Sequence, residues 1–156
     1  RNTNLTNKTE HDAHKNNVID EFKNLVEINP ETKFGTNTRF DFLVLKKKDK
    51  SFIEVKNVTL CRKKEIAEFP DAVTSRGLKH INELIKASKK NYKIYILYLI
   101  QRDDCKSFTI AKDIDPNYAN ALTKAVKKKL NILCYDCKFS SKGIILNNKI
   151  KFHIDD

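Results

Sequence analysis

The chain has 156 residues, enough for one domain with a real hydrophobic core, and its 40% hydrophobic and 33% charged residues describe a globular domain with a heavily charged surface. Lys and Arg number 31 against 20 Asp and Glu, and the resulting +11 favours polyanions: DNA, RNA or an anionic membrane surface. The longest apolar run, Ile94–Ile100, falls far short of the roughly 20 residues that a membrane helix needs, so no membrane partner is expected.

Residues 1–14 are polar and rich in Asn and Thr and read as an N-terminal arm, with 15–156 as the folded domain. The chain opens on Arg1 and contains no methionine, which reads as a fragment. From Asn17, the residues Val18, Ile19, Phe22, Leu25 and Val26 recur at helical spacing, and Pro30 closes that helix. "ETKFG" is a short strand or turn. Strands over Arg39–Leu45 and Ser51–Val58 form a hairpin around Lys46–Lys50. "FPDAVTSRGLKHINELIKASKK" is a helix capped by Asp71, with Val73, Gly77, Ile81, Leu84 and Ile85 inward.

"KIYILYLIQ" reads as a strand buried on both faces, its tyrosines spaced for packing. "DIDPNYANALTKAVKKKL" is a second helix with Pro116 near its first turn and Tyr118, Leu122, Ala125 and Val126 inward. "NILCYDCKF" alternates like a strand, which sends Cys134 and Cys137 to opposite faces despite their zinc-like spacing. With Cys61 and Cys105 they are expected to be reduced, non-ligating thiols, as suits a cytoplasmic protein. "SSKG" then turns into the short strands "IIL" and "KIKFHI". The order predicts an α/β fold, a mixed β-sheet flanked by helices.

The hairpin carries the chemistry. Asp41 lies in its first apolar run and Glu54 and Lys56 in its second, with residues 42–53 between the carboxylates. Across an antiparallel pair Asp41 comes opposite or diagonal to Glu54. Two carboxylates that close repel unless one is protonated or a cation lies between them. Hard oxygen donors on few side chains suit Mg²⁺ or Mn²⁺ with phosphate oxygens as further ligands. Lys56 can then orient or help deprotonate an attacking water, or stabilise charge on the phosphate. A solvent-facing Glu54–Lys56 ion pair is the plainer alternative. Arg76, Lys79 and His80 put positive charge one turn into the following helix, where they can meet a phosphate, and Gln101 with Arg102 ends the central strand near the same edge.

The D…E-x-K spacing is the signature of restriction-endonuclease-like, PD-(D/E)xK, nucleases. "RFDFLV", "FIEVKNVTL", "FPDAVTSRGLKH" and "DIDPNYANAL", in that order and spacing, resemble the sugar fermentation stimulation protein A family from about Lys15 onward. The resemblance implies a restriction-endonuclease-like fold, DNA as partner, and nuclease-type residues at Asp41, Glu54 and Lys56. It implies a Mg²⁺ or Mn²⁺ site at Asp41, Glu54 and the backbone carbonyl of Val55, with Glu21 (Asp20 next) as the carboxylate from a first helix. DNA contacts are expected at Arg39, Asn57, Arg76, Lys79, His80 and Gln101. Lys15–Asn16 replaces the family's usual Pro-Asn, and Ser75 its usual Glu before Arg-Gly. The small OB-like barrel that usually precedes this region is absent from the sequence. The expectation is a DNA-binding, metal-dependent phosphodiester-cleaving domain. The rivals are a DNA-binding regulatory protein with an idle site and an RNA-directed nuclease.

Overall fold

The computed structural model describes residues 27–34, 38–45, 49–141 and 143–154. In chain order the elements are β1 (Glu27–Phe34), β2 (Thr38–Leu45), β3 (Lys50–Val58), β4 (Leu60–Lys63), β5 (Ile66–Phe69), α1 (Ser75–Ser88), β6 (Lys93–Ile100), β7 (Ser107–Ile110), α2 (Pro116–Lys127), β8 (Leu130–Ser140), β9 (Gly143–Lys149) and β10 (Lys151–His153). No described helix is long and apolar enough to cross a membrane.

The main sheet has the order β1-β2-β3-β6-β8-β9. β1, β2 and β3 are antiparallel, β3-β6-β8 run parallel, and β9 returns antiparallel to β8. Of the parallel strands, β6 is the one read as buried on both faces. Ile94 to Ile100 are all buried, as strands covered on both faces must be. One face of β3 and β6 (Phe52, Val58, Ile94, Ile96, Tyr98, Ile100) packs with Ile81, Leu84 and Ala87 of α1 and with Tyr118, Leu122 and Ala125 of α2. The other face gathers Ile53, Val55, Tyr95, Leu97, Leu99, Leu133, Tyr135 and Leu146. Cys134 lies in the first cluster and Cys137 in the second, the separation that strand alternation predicts. Burial pushes the Cys137 thiol up to about 11 and that of Cys105 to about 12, which keeps both protonated at neutral pH.

A second sheet, β10-β7-β5-β4, was not legible in the sequence. Its strands are three or four residues long, and β4, β5 and β7 bury at most two side chains each, too few to show a period. β4 and β5 occupy the crossover from β3 to β6, and β7 the crossover from β6 to β8.

Other expectations need correction. The helix expected from Asn17 lies outside the described residues except at its end, and there Glu27–Pro30 belong to β1. Pro30 is tolerated because β1 is an edge strand of the described sheet. Thr74, not Asp71, caps α1: its hydroxyl accepts from the Gly77 N–H at 2.9 Å. Val73 therefore precedes the helix and is 76% exposed, and Val126, at the end of α2, is exposed as well.

The two helix N-termini share one buried carboxylate. Asp115 Oδ1 accepts from the Tyr118 N–H (3.0 Å) and so caps α2, while Oδ2 accepts from the Thr74 N–H (2.8 Å) at the start of α1. Gly77 sits where the helices meet. A Cβ there would come within 2.9 Å of Thr74 Cγ2 and 3.0 Å of a Tyr118 ring carbon. Elsewhere Arg62 of β4 forks onto Glu68 of β5 (2.9 and 2.8 Å) and Asp113 before α2 (2.7 and 2.8 Å). Its guanidinium holds Glu68 below the usual carboxylate range and lowers Asp113 to about 2.

Two predictions follow from these clamps. Gly77→Ala gains about 1 kcal/mol of helix propensity but displaces the Thr74 cap and crowds Tyr118, for a net loss of about 1–3 kcal/mol in denaturant unfolding. Glu68 and Asp113 have depressed folded-state values, so their contribution is complete above about pH 4.5 and is lost as pH falls toward about 2. Thermal melts of Arg62→Gln should be less stable than wild type at neutral pH, with the two curves converging across that window.

Candidate functional site

Glu54 and Lys56 are two apart on β3 and share the face that carries Phe52 and Val58, the side covered by the helices. They are 4% and 9% exposed. In the parallel ladder Glu54 is level with Ile96 and Lys56 with Tyr98. The sheet thus offers Glu54 an apolar neighbour and Lys56 a phenol. One partner comes from outside the sheet.

That partner comes from α1. His80 Nδ1 lies 2.7 Å from Lys56 Nζ and 3.6 Å from Glu54 Oε1. The shorter contact is a hydrogen bond and the longer one is not. With Lys56 as an ammonium, which only donates, Nδ1 is the acceptor and the ring's proton sits on Nε2. Behind this group Tyr98 and Tyr118, both fully buried, share a hydroxyl–hydroxyl bond of 2.6 Å. Burial pushes both hydroxyls up. For Tyr118 the Glu54 carboxylate pushes the same way, although the bond to Tyr98 opposes it. Both phenols therefore stay neutral. Phe69 packs on Tyr98 and Tyr118 at 5.5 and 5.3 Å between centroids and continues into the loop over the site.

The cleft so formed has a volume of about 320 Å³. Glu54, Val55, Lys56, Arg76 and His80 line it, together with the segment Phe69–Thr74. Five of the residues expected from sequence thus meet in one place. Lys79 is exposed on α1 and does not line the cleft. Asn57 follows Lys56 and, by strand alternation, belongs to the opposite face; its side-chain oxygen accepts from Gln101 Nε2 at 2.6 Å. Asn57 and Gln101 therefore engage each other away from the cleft. Arg102 pairs with Asp104 (2.9 and 2.7 Å) and donates to the Thr59 carbonyl at 3.2 Å.

Asp41 is on β2, next to Phe42, whose pairing with Ile53 ends the β2–β3 ladder. Arg39, also on β2, is paired with Lys33 of β1. Glu21 and Asp20 lie outside the described residues. The loop Phe69–Thr74 and the tyrosine pair were missed as parts of the site. The cap motif "TSRG" was the available signal for the loop, since a Thr three residues before a Gly starts the helix there.

The donors fit a hard divalent cation. Among the described residues no three His, Cys, Asp or Glu side chains converge on a metal position. The cleft offers oxygen donors from Glu54 and the Val55 backbone, the kind of donor that Mg²⁺ and Mn²⁺ take with retained waters.

A family profile described as "Sugar fermentation stimulation protein RE domain" matches residues 4–143. A sugar fermentation stimulation protein homolog of Pelagibacter ubique is 49% identical over 150 residues, 96% of this chain and 65% of the relative. That of Bartonella quintana is 38% identical over 158 residues, 99% of this chain and 66% of the relative. This chain therefore spans just under two thirds of either relative. The solved structure of Pyrococcus furiosus SfsA in complex with Ca²⁺ superimposes with a TM-score of 0.88 at 27% identity, over 98% of this chain and 66% of that one.

Proposed function

This chain belongs to the sugar fermentation stimulation protein family and has its restriction-endonuclease-like mixed sheet, and from that premise we propose that it binds DNA and cleaves phosphodiesters with Mg²⁺ or Mn²⁺. The observation that carries this reading is the convergence of Glu54, Lys56 and Arg76 on one cleft. The Pyrococcus furiosus relative was solved with Ca²⁺, a hard cation with the same preference for oxygen.

Asp41, Glu54 and the Val55 carbonyl are the groups that would hold the cation. When bound, it supplies Lewis acidity toward the phosphoryl oxygens and makes water more acidic. The chain's own groups do the rest. Lys56 presents an ammonium that stabilises developing negative charge or exchanges a proton with the attacking water. Arg76, exposed at the cleft, is the contact for a phosphate oxygen. The protein's excess of lysine draws the polyanion without reading its bases.

Three outcomes test the reading. Mn²⁺ binding measured by calorimetry should be lost in Asp41→Ala and Glu54→Ala together with cleavage, because a small ligand set has no spare member. Lys56→Ala should keep Mn²⁺ binding and lower the cleavage rate by about 10²–10⁴-fold, the range of a placed proton-transfer group. DNA affinity should fall with salt at a log–log slope of about −0.9 per neutralised phosphate. Tight DNA binding with no cleavage of single-stranded, nicked or duplex DNA would assign the protein to regulation instead. Cleavage confined to RNA would change its substrate.

A further inference from the structure

We propose that His80 is the positioning residue for Lys56: as the neutral Nε2–H tautomer it accepts the Lys56 ammonium on Nδ1 and fixes where that charge sits in the cleft. A lysine ammonium rides on a four-carbon stem with three rotatable donors and chooses no place by itself. Here the stem rises from a buried strand position, and the described acceptor within 2.7 Å is an imidazole nitrogen from another element. The neighbouring Glu54 oxygen, at 3.6 Å from the same nitrogen, lies beyond hydrogen-bond range of it. His80 Nδ1 is therefore hydrogen-bonded to Lys56 and only in longer-range contact with Glu54. A protonated ring would turn an N–H toward the ammonium, so this arrangement requires the neutral form.

The helix is built to deliver that nitrogen. His80 lies six residues after the Thr74 cap and three residues after Gly77, where α1 is seated against Tyr118. Thr74 is tied in turn to Asp115. The ring is part-buried, its side chain 13% exposed, which suits a fixed acceptor better than a mobile phosphate contact. The rival role, a direct contact to substrate, makes the opposite kinetic prediction. The kinetic consequence rests on the nuclease reading; the hydrogen bond does not.

The experiment has two arms, using wild type, His80→Ala and His80→Asn. Asn carries an acceptor oxygen where Nδ1 stands, and Ala carries none. In ¹⁵N-lysine-labelled protein, the Lys56 ammonium signal, assigned by its absence from Lys56→Arg, should resist exchange in wild type and His80→Asn and vanish in His80→Ala. In Mn²⁺-supported cleavage, His80→Ala should lower kcat by about 10²-fold with KM held, as a displaced reacting group does, and His80→Asn should recover most of that loss. Should His80→Ala fail to fold, His80→Gln, whose acceptor is one carbon too far, takes its place. An ammonium signal that persists in His80→Ala, or is absent from wild type, overturns the proposal. So does a rise in KM at unchanged kcat, or an Asn variant no better than Ala. If wild type cleaves nothing, the nuclease reading falls and the exchange arm alone decides the role of His80.

Discussion

Two ionisable side chains held in the middle of a sheet set the terms for the rest of the molecule. An ion taken out of water costs several kcal/mol unless it is paired or hydrogen-bonded. Glu54 and Lys56 are both buried, and the parallel ladder sets them level with Ile96 and Tyr98, neither of which can neutralise them. Packing alone would favour apolar residues at both positions, as at Phe52 and Val58 on the same face. Part of the compensation reaches the strand from outside the sheet. Lys56 is met by His80, and Glu54 lies beside the same imidazole.

The placement of α1 is therefore a requirement of the site and not only of the core. Its start is fixed by Thr74, whose hydroxyl caps the helix and whose amide is held by Asp115. Asp115 is itself the cap of α2, so one carboxylate sets both helices against the sheet. Gly77 allows the close approach to Tyr118, and Tyr118 bonds to Tyr98, the ladder partner of Lys56. The chain of contacts runs from a loop carboxylate, through two helix termini and a phenol pair, to the strand that carries the charges. Each contact is ordinary; their sequence gives the cleft its shape.

Much of this was legible in the amino-acid sequence, and the rest was hidden for identifiable reasons. β6 announced itself as an apolar run, β8 by its alternation, the two helices by their 3.6-residue period, and the D…E-x-K spacing put Glu54 and Lys56 on one face. Of the second sheet only β10, within "KIKFHI", was read as a strand, because strands this short bury too few side chains. The N-cap was assigned to Asp71 because an Asp after a proline is a good cap in isolation. The tertiary bond from the Thr74 amide to Asp115, 41 residues away, decided for Thr74. His80 was placed near the site, but its attachment to Lys56 was not foreseen, since a contact across 24 residues depends on how α1 docks. Asn57 and Gln101, expected as DNA contacts, bond to each other across β3 and β6, a pairing over 44 residues that no local pattern shows.

The central claim is that the two carboxylates of the hairpin share a cation beside Lys56. Crystals of the protein soaked in Mn²⁺ and measured at the manganese absorption edge test it most directly. The account predicts one anomalous peak bound by the side chains of Asp41 and Glu54 and the carbonyl oxygen of Val55. A peak held by other residues, or no peak at saturating Mn²⁺, would contradict it.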